Sequence, residues 1–82
     1  MDKLSNESTQ KLVEATTNMF RQLFEAEAAE KLYAQLAEDL ADMPGKSRER
    51  EYCLIKADQA RRTIERLDEH IDIYINALKT MT

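Results

Sequence analysis

Glycine, proline, cysteine and histidine each occur once in these 82 residues, and tryptophan not at all. So few turn-forming residues cannot punctuate a many-stranded sheet, which argues against sandwiches, barrels and α/β nucleotide folds. A single cysteine forms no internal disulfide and supplies no cysteine-based zinc site. No run of about 18 apolar residues exists, and the N-terminal stretch has no apolar signal-peptide core, so the expectation is a soluble, cytoplasmic chain. Basic residues are also in deficit, 12 against 16 acidic ones for a net charge of −4, which disfavours general binding along nucleic acid. What the chain does have is 43 % apolar residues, too many for wholesale disorder and enough for one small domain spanning 1–82.

The strong break is Met43-Pro44-Gly45-Lys46. Proline cannot continue a helical hydrogen-bond ladder, and glycine accepts the positive φ common just past a helix end. Upstream, Leu12, Ala15, Met19, Leu23, Ala26, Ala29, Tyr33, Leu36, Leu40 and Met43 recur in steps of three or four. Downstream, Leu54, Ala57, Ile64, Leu67, Ile71, Tyr74, Leu78 and Met81 repeat the pattern, flanked by Cys53, Ala60 and Ile75. Both are amphipathic helix stripes. The reading is an all-α chain with a frayed tail over 1–7, helix 1 over about 8–43, a loop at 44–46 and helix 2 over about 47–80. Ser47 is the expected N-cap. Thr16-Thr17-Asn18 lowers helix propensity and marks a candidate break, either a bend or the end of a separate short first helix.

An antiparallel hairpin turning near residue 45 pairs positions whose numbers sum to about 90. Leu36 then meets Leu54, Tyr33 meets Ala57, Ala26 meets Ile64, Leu23 meets Leu67, Met19 meets Ile71, Ala15 meets Ile75 and Leu12 meets Leu78. Small residues oppose large ones at three of these levels, as facing helix layers require. The expected fold is therefore a long antiparallel helical hairpin. With apolar burial contributing ~25 cal/mol per Å² against ~1.5 kcal/mol of ordering cost per residue, one hairpin alone is marginal. Phe20, Phe24, Leu32 and Ile73 would stay exposed, so a homo-oligomer forming a helical bundle is expected.

Catalytic constellations are poor. His70 and Cys53 stand seventeen residues apart on one helix, about 25 Å at 1.5 Å per residue, too far for a dyad. The residues one turn either side of His70 are Arg66 and Tyr74, which make no metal site. Gly45-Lys46-Ser47 matches the end of a P-loop, but Leu40 stands where its first glycine belongs and no strand precedes it. The expectation is no enzyme, no cofactor and no metal.

Charge is segregated along the chain. Residues 25–42 carry six carboxylates against Lys31, whereas residues 46–66 carry seven cations against four carboxylates. Arginine presents a planar fork of donors suited to phosphate, and Tyr52 lies one turn after Arg48 and one before Lys56, so a base could stack on its ring. The candidate ligand-binding residues are Arg48, Tyr52, Lys56, Arg61 and Arg62. The competing reading is structural, with Glu27 or Glu30 of helix 1 pairing with Arg61 or Arg62 of helix 2.

Arg48-Glu49, Leu54, Lys56, Asp58 and Ala60-Arg61, on a helix after a Pro-Gly loop, resemble the second-helix motif of a family of phage hairpin proteins. Those proteins sequester the cyclic nucleotide signals of the bacterial anti-phage systems CBASS and Thoeris. The likeness covers residues 32–62; Lys56 stands between Ile55 and Ala57, and the tryptophan of the motif is missing. The resemblance implies a homo-oligomer of hairpins that holds a small phosphorylated ligand between protomers without cleaving it, as a phage anti-defence sponge. The alternative is a small helical protein–protein interaction module, an inhibitor or adaptor, indifferent to nucleotides.

Overall fold

The computed structural model describes the backbone of residues 2–81 and the side chains of residues 7–80. Two helices make up almost all of it, α1 over Asp2–Ala41 and α2 over Ser47–Met81, and they pack against each other as an extended antiparallel hairpin measuring 66 × 15 × 13 Å. No strand occurs among the described residues.

The turn is built as its sequence requires. α1 ends at Ala41, two residues before the expected Met43, because a residue preceding proline is pushed out of the α region. The Met43 N–H still donates to the Leu40 carbonyl at 3.1 Å, closing one tighter turn. Gly45 then takes φ 75°. The Arg50 N–H donates to the Lys46 carbonyl at 2.9 Å, so Lys46 receives the first bond of α2 and Ser47, expected as the cap, is already inside the helix.

At the other end, α1 is helical from Asp2, where a tail up to about Glu7 is expected from sequence. Adding residues to an existing helix needs no new nucleus, so a weakly helical segment propagates. Met1, Thr82 and the side chains of residues 2–6 and of Met81 lie outside the described residues. α1 runs through 16–18 without the interruption that a separate first helix would need. Thr16 Oγ1 donates to the Leu12 carbonyl at 2.7 Å, so the hydroxyl that competes with helix is satisfied within it.

The interior is a two-stranded seam with a strict seven-residue repeat. In α1 the covered positions include Thr9, Thr16, Leu23, Glu30 and Ala37, interleaved with Leu12, Met19, Ala26, Tyr33 and Leu40; every one is buried or half-buried. In α2 they include Cys53, Ala60, Leu67 and Tyr74, interleaved with Ala57, Ile64, Ile71 and Leu78. Such a repeat is the signature of coiled-coil packing. Leu23, Leu67 and Ile71 form its centre, with Met19, Ile64 and Ile75 against them. The expected register near 90 holds at this centre.

At the loop end the expected layers shift. Leu36 and Leu54 were paired as interior residues but both are exposed, and Met43 is exposed as well. Ala37, Cys53 and Ala57 are buried in their place. A helix surface is divided by angle, at about 100° per residue, so the larger side chain one position away from the seam does not displace the smaller one on it. Phe20, Phe24, Leu32 and Ile73 are exposed as the width of the apolar surface implies.

Candidate functional site

The five candidate residues all lie on α2, but its geometry divides them. Arg48, Tyr52 and Lys56 follow one another by single turns along one flank. Lys56 Nζ stands 5.6 Å from the centroid of the Tyr52 ring, a cation–π contact, and Tyr33 of α1 meets Tyr52 edge-on at 6.4 Å and 80°. Tyr52 is still half-exposed, with one face engaged by its neighbour.

Arg61 lies on the opposite flank. Its Nε is 3.9 Å from Glu30 Oε1 on α1, and its Nη1 is 4.0 Å from Asp58 Oδ1. Arg62, one residue on, is turned to the outer surface, where Nη2 pairs with Asp58 Oδ2 at 3.1 Å. The bridge from Glu30 to Arg61 is the structural pairing that the charge segregation anticipates. Within this chain the five residues therefore do not converge on a single pocket.

A different group does converge. Beside Arg61, an open groove of about 360 Å³ runs between the helices near the turn. Its floor is alanine, from Ala34, Ala37 and Ala41 of α1 and Ala57 of α2; Leu54 walls it, and Glu38, Arg50 and Arg61 stand at its edges. Arg50 is not among the five candidate residues. Its signal was present in the spacing of Arg50, Leu54, Ala57 and Arg61, steps of four, three and four along one helix face.

Cys53 is buried in the seam and His70 is exposed seventeen residues further along α2, so these two do not form a nucleophile–base pair. Among the described residues no three histidine, cysteine or acidic side chains gather as a metal ion would need. No described helix is long and apolar enough to cross a membrane. No protein-family model, curated protein or solved structure matches this chain.

Proposed function

We propose that this protein acts by binding and not by catalysis, as a helical-hairpin interaction module that first associates with copies of itself. One observation carries the reading. No large side chain among the described residues is fully buried, while Phe24, Ile73 and Leu32 are 63 %, 60 % and 58 % exposed. A two-helix seam covers one stripe of each helix, and the apolar flanks beside it need a further layer to leave water. Sedimentation equilibrium or light scattering tests it. A mass of two or more chains at micromolar concentration is expected, and a monomer with unchanged helicity across the concentration range overturns it.

A second reading is sequestration of a small phosphorylated ligand, a cyclic nucleotide if the family resemblance holds. What favours it is the loop-end groove, whose size falls within the range of small-ligand sites and whose edge carries Arg50 and Arg61. Because Arg48, Tyr52 and Lys56 lie on the other flank, a site using all of them would have to be completed by a neighbouring protomer. A thermal-shift screen with cyclic nucleotides separates the readings, since a ligand bound only by the folded state raises its apparent stability. The interaction module is indifferent to the whole panel. A sponge responds, and loses the response in R50E/R61E or R48E/R62E while keeping its helicity.

A further inference from the structure

The apolar knobs and the alanine floor lie on the same flank of the hairpin. Val13, Phe20, Glu27, Ala34 and Ala41 recur at intervals of seven in the same seam-edge position of α1, Glu27 being the one charged residue among them, and Phe24 stands beside Phe20 with ring centroids 6.4 Å apart. Phe24 is 63 % and Phe20 37 % exposed in the middle of the helix, whereas near the turn the same flank is a groove lined with methyl groups. Bulk and hollow are thus displaced along one face by about 20 residues, or ~30 Å at 1.5 Å per residue.

We infer that the partner covering this flank is a second copy of the chain, packed antiparallel about a two-fold axis that crosses α1 close to Lys31. This rests on the proposed self-association and specifies its geometry. A two-fold interface is self-complementary, so residue i meets j and j meets i, and here the paired numbers in α1 sum to about 61. Phe20 then enters the groove beside Ala41 of the second copy, Phe24 lies over its Ala37, and the exchange repeats on the other side of the axis. Large residues oppose small ones, as interdigitating layers need. Lys31, next to the axis, comes within one helical turn of Glu27 of the facing chain.

Charge favours the antiparallel choice. With α1 over α1, α2 lies over α2 at numbers summing to about 119, given the seam register near 90. Arg61 then faces Asp58 of the second copy, and Arg50 faces its Asp68. The parallel arrangement would instead set Phe20 and Phe24 against Glu65, Asp68 and Asp72 of the other chain, burying carboxylates beside aromatic rings. The antiparallel overlap spans about 22 residues of each helix, so roughly 33 Å by two helix widths, or on the order of 650 Å² per subunit, near that of a standard stable interface.

Cysteine cross-linking in a C53A background tests the register. Residue 31 is its own partner across the axis, so K31C is expected to give a disulfide-linked dimer under mild oxidation. Residues 20 and 41 of one chain lie ~30 Å apart on one helix, so any link in F20C/A41C joins two chains, and that link is expected too. Q59C, on the opposite flank, serves as the control and gives no link within this two-fold dimer. Separately, F24D weakens association at least about 30-fold by sedimentation, the scale of an interface hot spot. An oligomer by mass in which Q59C links and K31C and F20C/A41C do not, or in which none links, overturns this geometry while leaving self-association standing. A chain that is monomeric throughout overturns both.

Discussion

Arg61 reaches across the seam to Glu30, Nε to Oε1 at 3.9 Å, and so ties the basic segment of α2 to a carboxylate that occupies an interior position in the acidic segment of α1. Glu30 is one of the half-buried residues of the seven-residue repeat, where its neighbours along the stripe are Leu23 and Ala37. A polar residue at such a position sets register and orientation at a cost in stability. E30L is therefore expected to raise the urea midpoint and stabilise the fold by about 1 kcal/mol, whereas R61A costs no more than ~1 kcal/mol because the guanidinium stays largely in water. Denaturation of both variants at equal chain concentration checks the sign.

Leu67 and Ile71 are buried at the centre of the hairpin, and Leu36 and Leu54 are exposed near the turn. Truncation to alanine should cost about 2–4 kcal/mol at either of the first pair and under ~1 kcal/mol at either of the second. Urea midpoints at matched slope read the difference. Equal losses at Leu36 and Leu67 would mean that the seam runs through Leu36.

Thr16 is buried and donates back to the Leu12 carbonyl. That bond satisfies the hydroxyl without adding to the ladder, which already uses the same carbonyl. T16V places a methyl where the hydroxyl sits, and is expected to stabilise by about 0.5–1 kcal/mol. Thermal unfolding followed by circular dichroism would show the midpoint rise; a fall would assign the hydroxyl a structural role at the seam.

Gly45 has φ 75°, and a Cβ built on it would meet nothing within 4 Å. The cost of G45A is then a matter of backbone dihedral alone, about 1–2 kcal/mol. Asparagine, which tolerates the left-handed region better, should recover part of that loss. The order Gly, Asn, Ala in urea midpoint is the outcome to measure.

The hairpin itself was legible in the chain because its evidence is one-dimensional. Pro44 and Gly45 mark the turn, two apolar stripes run away from it, and the sums near 90 already place Leu23 opposite Leu67 and Met19 opposite Ile71. The exposure of Phe20, Phe24, Leu32 and Ile73 followed from stripe width. Ranking by apolarity misled at the loop end, where Leu36 outscored Ala37 and Leu54 outscored Cys53 although the smaller residues lie on the seam. The candidate site was less legible for the same reason. Tyr52 and Arg61 are neighbours in a basic segment, yet nine residues of helical rotation put them on opposite flanks, and Arg50 joined Arg61 through a groove that needs both helices to exist.

Composition and periodicity alone thus determined that this chain is two helices folded back on each other, since helix formation and turn chemistry are set by residues within a few positions. Which side chains occupy the seam, and which cations meet which carboxylates, was decided only when the helices came together. That choice depends on the angle at which one cylinder faces the other, a quantity shared between two segments and written in neither.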